Sequence, residues 1–273
     1  MAQIFAALCD LPAGRLNWTM CTVTFIARRR GYALGMNRDE KLTRSTGLPP
    51  RRKVVNGHAV LSPSEPNGGT WIAVNDSGAC IALINWYSVT ARVKRNPISR
   101  GEVVNSVRAT DSADAADAEL RGLPLRRINP FRLIGIFPRT REIFEWRWDL
   151  KRLVGKKLLW KTQQWASSGF DEPTSQRVRG RIFRAMLRKG SAGGLGWLRR
   201  LHRSHSPQSG PFSTCMHRTD AATVSYTEIS VSARRAKMGY HGGPPCDASL
   251  FWKTTEEMSV RDEAKCDVSM RRL

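Results

Sequence analysis

The chain lacks any apolar run approaching the ~18 residues that a membrane-spanning helix needs. None of its glycine pairs is followed by Gly-Lys-Ser/Thr, which excludes a phosphate-binding loop. There is also no Cys-x-x-Cys pair and no tight cysteine framework. Widely spaced cysteines in a long chain indicate reduced thiols, so we expect a cytoplasmic protein without disulfides. The cysteines are Cys9, Cys21, Cys80, Cys215, Cys246 and Cys266.

Acidic residues are scarce relative to basic ones. Lys and Arg total 45 and Asp and Glu total 23, which gives a formal net charge of +22. Such an excess suggests binding to nucleic acid, an anionic membrane or an acidic ligand. The basic residues are scattered, as in segments 28–30, 51–53 and 156–157, and no RNP string or basic helix with interleaved aromatics accompanies them. We therefore favour a solvated basic surface without a specific nucleic-acid partner, and keep polyanion binding as an alternative.

The length of 273 residues and the hydrophobic content of 41% suit one domain with a full core. Residues 1–19 hold a short apolar stretch without a basic leading region, so a secretory signal is not indicated. Because Met20 directly precedes Cys21, we expect residues 1–19 to be either untranslated, with the true start at Met20, or a propeptide that is removed. We assign the domain to residues 20–251 and a polar, frayed tail to residues 252–273.

Hydrophobic patterning predicts strands in runs and helices in separate blocks. Segments 22–27 and 32–36 suggest one hairpin, and segments 70–74 and 79–86 suggest a second. Helices are predicted from Ser99, which has capping-box spacing to Glu102, and over 112–120 and 178–187, with a short one near Trp197. Further strands are predicted at 131–137, 143–148 and 157–162, and a final hairpin at 212–217 and 223–231. This order favours an α+β fold over a doubly wound parallel sheet.

Cys21 opens the first predicted strand and is the candidate nucleophile. If the chain begins at Cys21, its own α-amine, with an ordinary pKa of about 8, can act as the base for the thiol. Arg38, at the end of the returning strand, would lower the thiol pKa and favour the reactive thiolate. Asp39 can hold the α-ammonium or orient the reacting group. The alternatives are a small buried cysteine and a polar turn with a local salt bridge.

Asn85 ends an otherwise apolar strand, where a side-chain amide needs hydrogen-bond partners. Its NH₂ group can donate to a developing oxyanion without titrating, or the residue only terminates the strand. A group of histidines and cysteines fits no standard zinc spacing, so we interpret it as a polar loop and predict no metal and no cofactor. Its members are His202, His205, Cys215, His217 and Cys246.

Four ordered motifs resemble the NRDE-domain family, of the transport-and-Golgi-organisation type. That family is similar in turn to cysteine N-terminal-nucleophile hydrolases such as the choloylglycine and penicillin V acylases. The resemblance implies a four-layer αββα sandwich of two antiparallel sheets. The motifs are Met20-Cys21, Asn37-Arg38-Asp39-Glu40, Gly68-Gly69-Thr70-Trp71 leading through Asn75 to Asn85, and Ser99-Arg100-Gly101-Glu102.

The resemblance also implies roles for residues. Cys21 matches the nucleophile of those hydrolases, and Asp39 and Asn85 match their aspartate and oxyanion residue. Where the acylases carry an arginine this chain has Met36, and its own arginine lies at Arg38, which we include in the catalytic set.

We expect Asn37, Trp86 and Arg177 to bind substrate. The implied activity is hydrolysis of a linear, non-peptide C–N amide bond in a small molecule, through a Cys21 thioester. The alternative is a non-catalytic protein that handles a lipid, acyl or haem-like ligand on the same fold.

Overall fold

The computed structural model describes residues 20–189, 192–247 and 254–261. In chain order its elements are β1 Met20–Ala27, β2 Tyr32–Lys41, β3 Leu48–Val55, β4 His58–Ser64, β5 Ile72–Asn75, β6 Cys80–Asn85, α1 Gly101–Val107, α2 Ala113–Gly122, a 3-10 turn Leu125–Arg127, β7 Phe131–Phe137, β8 Glu142–Trp148, β9 Leu153–Leu158, β10 Gln163–Ser168, α3 Glu172–Leu187, α4 Leu195–His202, β11 Ala221–Val231, β12 Arg235–Gly242 and β13 Thr254–Ser259.

The strands form two antiparallel sheets. The first sheet has the order β10-β1-β2-β11-β12-β13, and the second runs β3-β4-β5-β6-β7-β8-β9. Apolar residues of α3 and α4 pack on the outer face of the first sheet, and those of α1 and α2 pack on the second. The predicted αββα sandwich of the α+β class is therefore confirmed.

Side-chain alternation along the strands explains the layers, because successive residues of a strand point to opposite faces. Along β1, Cys21, Val23 and Phe25 join the core between the sheets, whereas Ile26 packs with the helices. Burial of both faces makes β1 nearly continuously apolar or small, which suits a strand inside a four-layer sandwich.

Two close approaches of the backbone require glycine. Gly31 turns the chain from β1 into β2 at φ +89°, and a Cβ there would lie 2.0 Å from the Val231 carbonyl oxygen. Gly101 opens α1, and a Cβ there would lie 2.8 Å from Gly69 Cα. The second contact brings the start of α1 against the loop before β5, beside the pocket described below.

Two of the basic clusters lie on edge strands. Arg51, Arg52 and Lys53 are exposed on β3, and Lys156 and Lys157 are exposed on β9, at opposite edges of the second sheet. Charged side chains on edge strands oppose pairing with other chains. This placement explains part of the scattered positive charge without a polyanion partner.

Several predicted elements were wrong. The hairpin β3–β4 was missed, because exposed basic residues and prolines mask the alternation of an edge strand. The strand predicted at 157–162 is replaced by β9 and β10. Segment 212–217 forms only an isolated bridge, between His217 and Ala222 of β11, because β12 occupies that side of β11 from Ser225 onward. The predicted tail contains β13, in which only Met258 is buried. The expectation for residues 1–19 lies outside the described ranges.

No helix in the described ranges combines the length and apolar character that crossing a bilayer requires.

Candidate functional site

A pocket of about 350 Å³ lies where the start of β1, the end of β2 and the end of β6 meet. β1 and β6 belong to facing sheets, so this site is assembled by the sandwich and by no single hairpin. Among its lining residues are Cys21, Arg38, Asp39, Trp71, Asn85 and Arg100. The four residues predicted as catalytic are thus brought together.

Cys21 is largely buried, and its backbone N–H donates to Ser167 Oγ at 3.1 Å across the β1–β10 pair. Burial raises the pKa of the Cys21 thiol to about 12, and the charge of Asp39 adds to the rise. Arg38 and a hydrogen bond from the Asp39 backbone lower the pKa but do not offset burial. Arg38 therefore lowers the thiol pKa, as predicted. The net shift of the Cys21 pKa is nevertheless upward while Met20 remains attached.

Asp39 is fully buried on β2, where its carboxylate faces Arg179 of α3. The Thr223 hydroxyl donates to its carboxylate at 2.6 Å, and Arg179 Nη2 lies 3.4 Å from it. Burial raises the pKa of Asp39 to about 6, although Arg179 and Thr223 both favour the charged form. Arg179 also donates to Thr22 Oγ1 at 2.5 Å, which ties α3 to β1.

Arg179 was not predicted, whereas Arg177 was. Arg177 is exposed on α3 and donates to Thr174 Oγ1 at 2.9 Å, and it does not line the pocket. Arg179 lies on the buried stripe with Ser175 and Phe183, at i, i+4 and i+8. This helical spacing can be recognised in the sequence. Charged side chains are rarely fully buried, however, so the spacing did not predict a buried Arg179.

Two of the arginines at the pocket differ in their partners. Arg38 contacts Glu40 at 3.3 Å and Glu65 at 2.8 Å, and its guanidinium lies 4.5 Å from the centre of the Trp71 ring. Its charge is therefore compensated, because two carboxylates face it. Arg100 donates to the Pro130 carbonyl at 3.3 Å and makes no salt bridge within the described part of the chain. Burial lowers the pKa of Arg100.

Asn85 lies at the end of β6, half buried, with its Nδ2 donating to the Tyr87 hydroxyl at 2.8 Å. Trp71 also lines the pocket, and its indole N–H has no hydrogen-bond partner among the described residues. The pocket lining thus includes an amide side chain, that of Asn85, which can donate to oxygen.

The other predicted substrate contacts lie elsewhere. Asn37 is fully buried on the opposite face of β2 from Arg38, where its Nδ2 donates to the carbonyls of His202 at 2.9 Å and Thr214 at 2.8 Å. Trp86 is half buried beyond β6, outside the pocket lining. These placements do not support substrate contacts, because strand alternation turns Asn37 toward α4.

The architecture is that of N-terminal-nucleophile hydrolases. A mutant of the conjugated bile acid hydrolase from Clostridium perfringens has a TM-score of 0.52 at 10% identity, covering 87% of this chain and 92% of that one. Penicillin V acylase from Agrobacterium tumefaciens has a TM-score of 0.49 at 10% identity, covering 91% and 87%. At such identity the first likeness shows the fold alone.

Residues 20–149 match the family model described as Transport and Golgi organisation 2. That model describes the NRDE family, which the sequence motifs resemble. Sequence comparison with curated proteins gives no match.

Proposed function

We propose that this chain is a cysteine amidohydrolase that cleaves a linear, non-peptide C–N amide bond of a small molecule through a Cys21 thioester. The observation that carries the proposal is that Cys21 and Asn85, from facing sheets, line one pocket of about 350 Å³. This volume suits a small molecule. A nucleophile and an amide donor in one pocket are the minimum that acyl transfer requires.

The mechanism needs a free α-amine on Cys21, so the proposed active form begins at that residue. While Met20 is attached, the Cys21 nitrogen is an amide and cannot accept a proton. Once released, the amine would lie beside Ser167 Oγ, which is 3.1 Å from that nitrogen. Asp39, which already acts on Cys21 through its charge, would favour the ammonium form after proton transfer.

The proposed reaction then has two halves. The α-amine takes the thiol proton, and Sγ attacks the amide carbonyl while Asn85 Nδ2 donates to the oxyanion. Collapse of this intermediate breaks the C–N bond, and the α-ammonium gives its proton to the leaving amine. Water next attacks the thioester, with the amine as base. This step releases a carboxylic acid and restores the thiol.

Arg100 suggests the charge of the substrate. Arg100 lines the pocket, and its guanidinium is not paired with a carboxylate in the described ranges, unlike that of Arg38. A substrate carboxylate would supply that partner. We therefore propose an acyl amide that carries a carboxylate near the scissile bond, as N-acyl amino acids do.

Protein that starts at Cys21, released from a cleavable fusion, tests the proposal. The substrate panel is N-acyl amino acids, penicillin V, conjugated bile acids and acyl-homoserine lactones, the last lacking a carboxylate. Cys21→Ser should abolish turnover without loss of folding, and Asn85→Ala should lower kcat on the order of 10²–10³. Arg100→Ala should raise KM for the carboxylates, whereas Arg177→Ala should not. Folded protein that turns over none of these compounds would overturn the proposal.

A second function is favoured by one observation. With the chain continuous through Met20, the Cys21 pKa is about 12 and no α-amine is available, so the same pocket would bind without reacting. In that case a lipid or acyl carboxylate would pair with Arg100. Fatty-acid binding that depends on Arg100, together with no turnover by protein starting at Cys21, would support ligand handling instead of hydrolysis.

A further inference from the structure

Four side chains that the sequence interpretation left as a polar loop converge in space. His205, Cys215, His217 and Cys246 each offer one donor atom, and these atoms all lie within 4.8 Å of one another. His202, the fifth member of the sequence group, is separate, because it is buried against Asn37 and Thr24. We infer that the four converging residues form a structural zinc site.

Two of the separations between the four donor atoms fit a tetrahedral metal centre. His217 Nε2 lies 3.5 Å from Cys215 Sγ and 3.3 Å from Cys246 Sγ. With Zn–S of about 2.3 Å and Zn–N of about 2.0–2.1 Å, a tetrahedral site places sulfur and nitrogen ligands roughly 3.5 Å apart. Two thiols and two imidazoles are also a ligand set that zinc prefers.

Local backbone structure presents each ligand. Cys215 and His217 lie two residues apart, and Cys215 Sγ is 3.5 Å from His217 Nε2, so the two side chains point to the same side of the segment. The Cys215 N–H donates to the Ser204 carbonyl at 3.0 Å, which brings His205 beside it. Cys246 lies in the turn after β12, closed by the Asp247 N–H to the Pro244 carbonyl at 3.2 Å.

The ligands come from three separate segments of the chain: the loop after α4, the segment before β11 and the turn after β12. This is why the sequence spacing matched no known motif. Four protein ligands fill a tetrahedral shell and leave no open position, so the zinc is structural and not catalytic.

The zinc site adjoins the candidate active site. Met216, between two of the ligands, packs with Met20, and its N–H donates to Thr223 Oγ1 at 2.8 Å. The same Thr223 hydroxyl donates to Asp39 at 2.6 Å. Zinc would therefore hold the segment that supports Asp39, although the zinc proposal does not depend on hydrolase activity.

The full chain, purified under reducing conditions, tests this inference by elemental analysis and by titration of the metal-free protein with Zn(II). We expect about one zinc per chain, with Co(II) giving the visible spectrum of a tetrahedral site with thiolate ligands. Cys246→Ser should weaken zinc binding by at least about 100-fold, because removal of a ligand costs more affinity than removal of a group that only supports a ligand. Chelation should lower Tm of the wild type.

His205→Ala is the second variant, because His205 is exposed and its removal leaves no cavity. It should fold normally and still bind zinc more weakly, whereas Cys21→Ser, the thiol control outside the cluster, should bind it as the wild type does. A folded wild type that takes up no Zn(II) or Co(II) would overturn the inference. So would a Cys215–Cys246 disulfide that persists under reducing conditions, or equal loss of zinc in the Cys21→Ser control.

Discussion

The reactivity of Cys21 should depend on whether residue 20 is attached to its nitrogen. In the continuous chain the Cys21 pKa is about 12. At about pH 7.5 only some 3 × 10⁻⁵ of such a thiol is thiolate, whereas at an ordinary pKa of about 8.5 roughly a tenth is. A free α-amine provides both a base and, once protonated, a neighbouring cation. If these restore the ordinary pKa, the thiolate fraction rises on the order of 10³.

The gain in alkylation rate is smaller than the gain in thiolate. A thiolate of lower pKa is intrinsically less nucleophilic, with a Brønsted coefficient of about 0.4–0.5. Over a fall of roughly 3.5 in pKa, the lower nucleophilicity of the thiolate reduces the rate by a factor on the order of 10^1.6. We therefore expect Cys21 to alkylate on the order of 10² faster when it is the first residue.

The assay compares two proteins that differ by one residue, one beginning at Cys21 and the other at Met20 with the methionine retained. Intact mass confirms each start, and mass spectrometry of peptides measures iodoacetamide alkylation at each cysteine. Cys80 is the internal control, because it is fully buried and its thiol pKa is raised in the same direction by burial. Equal Cys21 rates in the two proteins would refute the proposed role of the α-amine.

Three further predictions concern stability. Met20→Ala in the full chain should lower the free energy of unfolding by about 2–5 kcal/mol in denaturant titrations, because Met20 is fully buried against Met216. Asn37→Ala should cost at least about 2 kcal/mol by the same measurement, since it leaves two buried carbonyls without their donor. For either variant, a loss below 0.5 kcal/mol, which is about the usual effect of a surface substitution, would contradict the stated reason. Burial raises the pKa of Asp39 to about 6, above its ordinary value of 3.8. The stability that the protonated Asp39 carboxyl contributes is therefore fully present below pH 3.8 and is lost as the pH rises through 6. The stability difference between wild type and Asp39→Asn should therefore fall by on the order of 3 kcal/mol from about pH 4 to pH 7, and a difference independent of pH would exclude this shift.

Local and short-range features were readable from the sequence. The first hairpin needs only alternating residues and a glycine turn, and its antiparallel register pairs Cys21 with Arg38 and Met20 with Asp39. The strings around Cys21, Asp39 and Asn85 carried the resemblance that implied the αββα fold. Strands with weak alternation were missed, as β3 and β13 show, because an edge strand buries too few side chains to leave a pattern.

Tertiary structure decided the electrostatics and the long-range contacts. Arg179 reaches Asp39 only because α3 packs on the first sheet, and the proposed zinc ligands meet only because three loops converge on one end of β11. The pKa of Cys21 depends on burial between two sheets, which no local pattern of charges reveals. Sequence patterns determine which face each side chain takes along its own element. Desolvation and coordination depend on what the other elements place against that face.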